Sequence, residues 1–301
     1  MSEYIIETKD ITKMFGKKTA VNNINMHVKK KEIYGFIGRN GAGKTTFLKI
    51  IANLISQSSG EIKLFGQTNL KDAHKKIGIL IENPGLHTTL TAYENMYMKC
   101  QLLGIENPKQ KIKELLTLVG LEKAKNKTKT FSLGMKQRLG IAMALVNDPE
   151  LLLLDEPING LDPQGIVEIR EILLKLQNQG ITIIISSHIL EELGKICNRY
   201  GVISSGTLIK ELTREEVEEI SNKYIQIETN NIKETYRLLE TYGIKQMSLE
   251  KDIIKIYDEN IESALINEML VKNGILVSTI YVNSESVEEV FISMMGEADY
   301  E

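Results

Sequence analysis

A glycine-rich segment that reads GRNGAGKTT has the residue types needed to hold phosphate groups. It fits the pattern G-x-x-x-x-G-K-[ST] and lies between a strand-like run, EIYGFIG, and a helix-like run, KTTFLKIIANL. Glycines let backbone N–H groups surround phosphates, Lys44 adds a mobile positive charge, and Thr45 offers its hydroxyl to Mg²⁺. This context favours a phosphate site over an ordinary glycine turn. The predicted site comprises Gly38, Arg39, Asn40, Gly41, Ala42, Gly43, Lys44, Thr45 and Thr46.

Two apolar runs end in carboxylates. In LLLLDEP, residues 151–157, Asp155 is a hard oxygen ligand at the carboxyl end of a buried strand, where open α/β sheets bind ligands. Glu156 points elsewhere and is suited to orient or deprotonate a water. In IGILIENPG, residues 77–85, Glu82 occupies the same kind of strand end before a Pro-Gly turn. Taken alone, Glu82 is either a catalytic acid or a polar cap on a core strand.

A third segment, FSLGMKQRLGIAMAL at residues 131–145, places a serine and a glycine at the start of a helix. A hydroxyl and free backbone N–H groups at such a position form an anion-binding end. Because the glycine-rich segment already holds phosphates, a second anion-binding end suggests that another copy of the chain closes over the nucleotide. An ordinary helix start is the alternative for this segment taken alone.

The composition is that of a soluble globular protein, since 42% of the 301 residues are hydrophobic and 26% are charged. A formal net charge of -3, with interleaved lysines and glutamates, provides no electrostatic footprint for nucleic acid, so we expect no nucleic-acid partner. The two cysteines, Cys100 and Cys197, have neither disulfide nor metal-ligand spacing. No signal peptide is indicated, and no apolar run approaches the roughly 18–20 residues of a membrane span. A function at a membrane would require another chain to span it.

The order of strand-like and helix-like runs predicts an α/β domain first. Residues 4–65 contain short β-type runs with one helix, and residues 77–206 alternate strands and helices. Thr91 and Glu94 have capping-box spacing at the start of one helix, and Asp162 is expected to cap another. The continuous apolar strands after residue 77 are typical of a parallel sheet that is covered on both faces.

Beyond Leu212 the pattern changes to a charged helical linker followed by the order βαββαβ and a terminal helix. This order is that of a small ferredoxin-like α+β domain. The sequence therefore predicts a first domain over residues 1–212, and a linker helix with an accessory domain over residues 213–301. The accessory domain contains no constellation of residues suited to chemistry.

Four segments, in this order and spacing, resemble the nucleotide-binding subunit of an ABC transporter. They are GRNGAGKTT, FSLGMKQRLGIA, LLLLDEPINGLDP and ISSHILEE, and the resemblance covers about residues 3–212. It implies an α/β P-loop ATPase domain with a parallel-sheet core, an N-terminal antiparallel β subdomain and a helical subdomain. It also implies that the chain hydrolyses ATP with Mg²⁺, forms a homodimer or a dimer with a closely similar subunit on ATP binding, and works with a separate integral membrane transport subunit.

The resemblance implies roles for individual residues. Phe15 would stack on adenine, although a core aromatic is the alternative for this position. Asp155 would help to hold Mg²⁺, Glu156 would be the catalytic base, and His188 would contact the γ-phosphate rather than being merely exposed. Asp162 would couple the two sites of the dimer. The segment that would close on ATP bound to the opposite subunit comprises Ser132, Leu133, Gly134 and Met135, of which the serine and the glycine make the phosphate contacts.

Three positions depart from the usual family pattern. The segment L-S-G-G-Q reads FSLGM here, so Leu133 and Met135 replace a glycine and a glutamine. Glu82 stands where most members have a glutamine in the loop after the strand. A carboxylate there is expected to ligate Mg²⁺ together with Thr45 and Asp155. Its charge near the γ-phosphate should make ATP-driven closure more dependent on Mg²⁺.

These variants, together with the short C-terminal domain, resemble the exporters that protect bacteria from lantibiotics and bacitracin-type peptides. The resemblance implies a cytoplasmic ATPase, peripheral on the inner face of the cell membrane, that powers peptide efflux through the membrane subunit. Export of another amphiphile or a lipid is the close alternative. The segment from Asn83 to Gly104 would begin the helical subdomain that receives a helix of the membrane subunit, with Tyr93 as a candidate contact. A surface loop without a partner is the alternative.

Two other functions compete with transport. A related ATPase that acts on ribosomes or DNA is disfavoured, because the chain has a single cassette, no coiled coil and an acidic net charge. A regulator that binds ATP without hydrolysing it is supported only by the replacements at Leu133, Met135 and Glu82. Since all the catalytic positions are present, hydrolysis is the stronger expectation.

Overall fold

The computed structural model of the chain describes residues 3–258 and 261–298, which fold into two compact units. The first unit runs to Arg214 and takes in the end of the last helix from Met294; the second is Glu215–Ser293. In chain order, the elements of the first unit are β1 (Tyr4–Phe15), β2 (Lys18–Ile24), β3 (His27–Lys29), β4 (Ile33–Ile37), α1 (Lys44–Ile51), β5 (Ser59–Leu64), β6 (Ile77–Leu80), α2 (Ala92–Leu103), α3 (Pro108–Leu118), α4 (Leu133–Ala144), β7 (Leu151–Asp155), α5 (Pro163–Asn178), β8 (Thr182–Ser187), α6 (Leu190–Gly194), β9 (Arg199–Ser204) and β10 (Thr207–Thr213).

An antiparallel sheet is built around β1, which pairs with β2, β3 and β5. One face of this sheet is apolar and closed to water, since Ile6, Val28 and Leu64 are all fully buried. The last residue of β1, Phe15, lies beyond this buried part and is 52% exposed. The predicted N-terminal antiparallel β subdomain is confirmed.

A six-stranded sheet with the order β10-β9-β4-β8-β7-β6 forms the centre of the first unit. The strands from β9 to β6 are parallel, and β10 is antiparallel to β9. Every residue of β4, β7 and β8 is buried, as expected for apolar strands covered on both faces. The carboxyl ends of β4, β8, β7 and β6 therefore lie side by side at one edge of the sheet, which is where this architecture binds ligands.

Both sheets and α1 contribute to one core. Phe47 of α1 packs against Phe36 of β4, with ring centroids 5.5 Å apart. Other fully buried members are Ile5, Ile6, Val28, Leu48, Ile51, Leu151, Leu153 and Ile184. Because α1 is fixed by this packing on its apolar face, its first turn is held at the carboxyl edge of the sheet.

Three helices, α2, α3 and α4, pack against one another and form the predicted helical subdomain. The start of α2 carries the predicted capping box: Thr91 Oγ1 accepts from Glu94 N, and the Glu94 carboxylate accepts from Thr91 N at 2.7 Å. The helix ends at Gly104, whose left-handed backbone is typical of a C-terminal cap. The start of α4 also packs near α5, which places the segment from Ser132 next to the segment from Asp162.

The second unit has the predicted ferredoxin-like order. Its elements are α7 (Arg214–Ile220), β11 (Lys223–Thr229), α8 (Ile232–Thr241), β12 (Met247–Glu250), β13 (Ile253–Ile256), α9 (Ser263–Lys272), β14 (Val277–Ser284) and α10 (Val287–Ala298). The strands form an antiparallel sheet in the order β12-β13-β11-β14. Helices α8 and α9 cover one face over a core that includes Ile227, Leu239, Ile254 and Leu270.

On the opposite face of this second sheet, Lys255 is the central polar residue. It is 6% exposed and forms ion pairs with Glu250 at 2.9 Å and with Glu289 of α10 at 2.8 Å. Burial lowers the pKa of Lys255, but the hydrogen bonds to the two glutamates outweigh that effect and raise the pKa well above its usual range. The ammonium group therefore stays charged and joins α10 to the sheet.

Among the described residues, no helix combines the length and the apolar character that a membrane-spanning segment requires.

Candidate functional site

The glycine-rich loop between β4 and α1 is held close to two other backbones. A Cβ atom added at Gly38 would lie 2.5 Å from the Ile203 carbonyl oxygen. Gly43 caps α1 in the left-handed region, with φ of 107°, and a Cβ there would lie 2.5 Å from the Ala20 carbonyl oxygen. Only glycine fits at either position. The loop thus has a fixed shape, with the first N–H groups of α1 directed out of the helix start, where they suit an anion.

Lys44 is buried at 5% exposure although it carries a charge. Its ammonium group donates to the carbonyl oxygens of Gly38 at 2.7 Å and Arg39 at 3.3 Å. The same Nζ atom lies 3.3 Å from Glu156 Oε1. Burying an ammonium group is costly unless it is paired, so these contacts hold the positive charge beside the loop that would receive phosphates.

Asp155 ends β7 and is 5% exposed. Thr45 Oγ1 donates to Asp155 Oδ2 at 2.7 Å, and Ser186 Oγ donates to Asp155 Oδ1 at 2.5 Å. Ser186 was missed by the sequence analysis; it lies directly opposite Asp155 in the pairing of β7 with β8. The pair of serines before His188 is the only local signal that could have indicated it.

The oxygen atoms at this place fit Mg²⁺. A threonine hydroxyl and a carboxylate in contact are hard donors, and Mg²⁺ is commonly held by one or two such groups together with phosphates and water. Within residues 3–258 and 261–298 there is no group of three or more His, Cys, Asp or Glu side chains arranged to hold a metal by themselves. A cation held by Thr45 and Asp155 would take its remaining ligands from phosphate oxygens and water.

Glu156, the next residue, has its backbone in the left-handed region, with φ of 50°. A non-glycine residue in this region costs roughly 1–2 kcal/mol, so the surrounding bonds must enforce it. Glu156 N donates to the carbonyl oxygen and the hydroxyl of Ser186, both at 3.1 Å. Its carboxylate lies between Lys44 and His188, and His188 Nδ1 is 2.8 Å from Glu156 Oε2. Three adjacent strand ends thus place a lysine, two carboxylates and an imidazole together.

A cleft of about 600 Å³ lies over this cluster. It extends to Phe15, whose ring is exposed. Lys13 Nζ lies over that ring, 5.1 Å from its centroid. An exposed ring at the rim of a phosphate-binding cleft is available to stack on a base, and the core-aromatic alternative for Phe15 is wrong. The lining residues are Phe15, Lys18, Thr19, Ala20, Asn40, Gly41, Gly43, Lys44, Thr45, Thr46, Glu156, Ser205 and Gly206.

The segment Ser132–Met135 lies outside this cleft. Ser132 caps α4, since its Oγ accepts from Met135 N at 3.2 Å, and Leu133 is 44% exposed. Asp162 caps α5 in the same way by accepting from Gly165 N at 3.1 Å. A Cβ at Gly134 would lie 3.9 Å from Gly165 Cα, so the two helix starts are neighbours. A single chain therefore presents two separate anion-suited places.

Glu82 follows β6 in a left-handed conformation, with φ of 63°. Its Oε1 atom is 2.5 Å from Lys49 Nζ of α1, and its side chain is 62% exposed against 28% for Lys49. Glu82 is absent from the lining of the cleft over Lys44, taken over the described residues. The structure therefore places Glu82 beside the same helix as Lys44 and Thr45, but one turn further along it.

The loop after Glu82 is held by residues that the sequence analysis missed. Asn95 is fully buried; its side chain accepts from His87 N at 2.8 Å and donates to the carbonyl oxygens of His87 and Thr91. Thr128, also fully buried, donates to the His87 carbonyl at 3.0 Å. These bonds fix the shape of the loop.

A groove of about 420 Å³ lies beside this loop. Asn83, Pro84 and Gly85 form one side, and Lys99 and Leu103 of α2 lie on another. The predicted contact Tyr93 is 41% exposed and stacks on Tyr97, with ring centroids 6.3 Å apart.

Comparison with known proteins identifies the family of the chain. Residues 21–159 match the family described as ABC transporter. The chain is 42% identical over 300 residues to the bacitracin transport ATP-binding protein BcrA of Enterococcus faecalis, covering 98% of this chain and 97% of the relative. It is 44% identical over 228 residues to the lantibiotic transport ATP-binding protein SrtF of Streptococcus pyogenes, covering 74% of this chain and 99% of that relative.

A solved structure agrees with these matches. The fold is similar, with a TM-score of 0.62 and 28% identity, to a dimeric post-hydrolysis state of the ATP-binding cassette MJ0796 bound to ADP and Pi. The similarity covers 69% of this chain and 98% of that one. The resemblance and the fold class that the sequence analysis predicted are both confirmed.

Proposed function

Because the chain belongs to the ATP-binding subunits of ABC transporters, we propose that it powers export of bacitracin-type or lantibiotic-type peptides through a separate membrane subunit. The relatives named for bacitracin and lantibiotic transport support the substrate class. The observation that carries the ATPase chemistry is the convergence of Lys44, Asp155, Glu156 and His188 at neighbouring strand ends. The chain is an ATPase, in keeping with its family.

ATP binds in the cleft over the glycine-rich loop. Backbone N–H groups of residues 38–46 and the Lys44 ammonium group hold the phosphates, and Phe15 stacks on the adenine at the rim. Thr45 and Asp155, in contact at 2.7 Å, would hold Mg²⁺, and Glu82 would join them once its carboxylate left Lys49. When bound, Mg²⁺ supplies positive charge that neutralises the phosphate oxygens.

Glu156 acts as the general base. Its carboxylate lies in the cleft, buried to 21% exposure, and takes a proton from the attacking water. His188, held against Glu156 at 2.8 Å, contacts the γ-phosphate and keeps the carboxylate oriented. Lys44 stabilises the negative charge that develops on the transferred group.

Two copies close over two ATP molecules. The anion-suited start of α4, from Ser132 to Met135, lies outside the cleft of its own chain, so it serves the nucleotide of the second copy. Asp162, which caps the neighbouring helix, couples the two sites.

The Glu156→Gln variant should accumulate as an ATP-bound dimer in analytical ultracentrifugation with ATP and Mg²⁺. The absence of any ATP-dependent increase in mass would exclude the closed dimer; Glu156→Gln with Ser132→Arg is the matched control and should show no such increase.

The membrane subunit docks on the groove beside the loop 83–85 and brings the chain to the inner face of the cell membrane. The groove has an apolar floor and Lys99 on its wall, which suits a partner helix with an apolar anchor and an acidic residue.

Lys99→Glu should reduce co-purification with the membrane subunit several-fold. Lys113→Glu, an exposed lysine on α3 outside the groove, is the control and should leave co-purification unchanged.

The substrate class is tested in cells. A sensitive strain that expresses the chain with its membrane subunit should gain resistance to bacitracin or to a lantibiotic, and Lys44→Ala should abolish the gain. Resistance to a different amphiphile alone would contradict the proposed peptide substrates. It would not contradict the proposed ATPase mechanism.

A further inference from the structure

The second unit presents an open edge strand. β14 is the last strand in the order β12-β13-β11-β14, so one side of its backbone has no strand partner among the described residues. The strand is eight residues long, and six of these residues are exposed. Its sequence, VSTIYVNS, contains no charged residue and no proline. Exposed edge strands are usually shortened, charged or interrupted because their free N–H and C=O groups pair with other chains.

The other edge of the same sheet is protected in that way. β12 has only four residues, ends in Glu250, and is followed by Lys251 and Asp252. Leu276, Tyr281 and Val282, at or beside β14, are by contrast 69%, 45% and 61% exposed. The open edge is therefore uncharged and one side of its backbone has no strand partner among the described residues, while the opposite edge carries charges.

The register of β14 on β11 shows which side chains share a face. Ile280 and Val282 pair with Ile227 and Ile225, which belong to the core beneath α8 and α9. Tyr281 pairs with Gln226 and so lies on the opposite face. Thr279 and Asn283 are two residues from Tyr281 on either side, so they share its face.

This order is complementary to itself. In an antiparallel pair related by a two-fold axis at Tyr281, each tyrosine faces the tyrosine of the other copy. On the same face Thr279 lies opposite Asn283 of the second copy, and on the other face Ile280 lies opposite Val282 of the second copy. Polar groups thus meet polar groups and apolar groups meet apolar ones. An axis at Ile280 would instead place Ser278 opposite Val282, so the pattern selects the first register.

We propose that β14 pairs antiparallel with β14 of a second copy of this chain and joins the two sheets into one of eight strands. The uncharged strand brings no like charges together, which favours a second copy over a partner selected by charge. This contact goes beyond the ATP-driven dimer, since it uses no residue of the nucleotide site. It gives the second unit a function as an assembly contact.

Cysteine crosslinking of the full-length chain without nucleotide tests the proposal. The native Cys100 and Cys197 are both buried, so the wild type serves as the blank. Under mild oxidation, Tyr281→Cys should form a disulfide-linked dimer in several-fold higher yield than Leu249→Cys, an exposed position on β12. Thr279→Cys should not crosslink to itself, because four residues along an extended strand separate the two copies by about 13 Å. It should crosslink to differently tagged Asn283→Cys.

Equal yields of the disulfide-linked dimer from Tyr281→Cys and Leu249→Cys would overturn the proposal. This holds both for a β14 edge that stays open and for one that is bound by another protein. Crosslinking of Thr279→Cys to Tyr281→Cys instead of Asn283→Cys would also overturn it, because the self-complementary register would then be wrong. As a second measurement, Tyr281→Lys should remove self-association in sedimentation without nucleotide, while Leu249→Lys should not. Both variants should keep the ATP hydrolysis rate of the wild type, so this test is independent of the nucleotide site.

Discussion

The ends of β6 and β7 have the same local design. Each strand is apolar, each is followed by a glutamate in the left-handed region, with φ of 63° at Glu82 and 50° at Glu156, and a proline follows within two residues. Each glutamate also contacts a lysine of α1. Glu82 contacts Lys49, and Glu156 contacts Lys44, the first residue of the helix.

The two ends differ in what surrounds them. Glu156 follows an interior strand, is 21% exposed, and is bonded on its second oxygen to His188 of the next strand end. Glu82 follows the edge strand β6 and is 62% exposed. The same short sequence pattern thus gives a carboxylate inside a polar cluster in one place and an exposed ion pair in the other. Strand order, rather than the local pattern, determines whether such a carboxylate is enclosed among polar groups or exposed to solvent.

Replacing the two glutamates separately should give the largest difference. Glu156→Gln removes the proposed base and should lower the ATP hydrolysis rate by roughly 10²- to 10⁴-fold. Glu82→Gln keeps an oxygen donor and should stay within a few-fold of the wild type. Phosphate release at saturating ATP and Mg²⁺ measures both. Similar losses in the two variants would mean that the two strand ends have equivalent roles.

The next largest difference, in ATP affinity, is expected between replacements of Lys44 and of Lys49. Lys44 is buried beside the loop, so Lys44→Met should weaken ATP binding by about 10- to 100-fold, the effect of losing a charge-assisted hydrogen bond. Lys49→Met, a more exposed lysine on the same helix, should change ATP affinity less than about three-fold, as expected for a surface ion pair. Isothermal titration calorimetry suits this comparison because the chain has no tryptophan to report binding. Equal losses would contradict the separation of the two sites.

Removing the cation should then show what Glu82 contributes. With a carboxylate at residue 82, dimerisation by ATP should be strongly suppressed when Mg²⁺ is chelated, since the carboxylate repels the γ-phosphate. Glu82→Gln should dimerise more readily with ATP alone and respond several-fold less to added Mg²⁺. Sedimentation with ATP and either EDTA or Mg²⁺ measures this, together with the Mg²⁺ dependence of turnover. An unchanged Mg²⁺ dependence of both would exclude this function for Glu82.

The smallest effect is expected from the Lys49–Glu82 ion pair on stability. Since both side chains reach solvent, their coupling should contribute about 0.2–1 kcal/mol to the free energy of unfolding. A double-mutant cycle with Lys49→Met and Glu82→Gln, measured by urea denaturation, isolates that coupling. A coupling well above this range would show that the pair holds the loop rigidly, contrary to an exposed contact.

Much of the site could be predicted because it depends on short patterns. The loop at residues 38–46, the acids after β7 and the capping residues Thr91 and Asp162 are each recognised from a few neighbouring residues. The ferredoxin-like order of the second unit could be predicted from the alternation of strands and helices.

The remaining features depend on contacts between distant segments. Ser186 bonds to Asp155 because β8 lies between β4 and β7, and strand order is not written in either segment alone. Lys49 is an ordinary helix residue in the sequence, and only the packing of α1 against the central sheet, at the neighbouring strand β7, brings it to Glu82. Asn95 and Thr128 likewise gain their function from a loop that they hold across the helical subdomain.

The most direct measurement of the central claim is a single turnover with enzyme in excess over ATP, followed by acid quench and quantification of ADP. The assignment of the base to Glu156 predicts that Glu156→Gln retains ATP over the time in which the wild type completes one turnover. It also predicts that Glu82→Gln converts its ATP to ADP on the wild-type time scale at saturating Mg²⁺. Conversion of ATP by Glu156→Gln at the rate of Glu82→Gln would contradict the account.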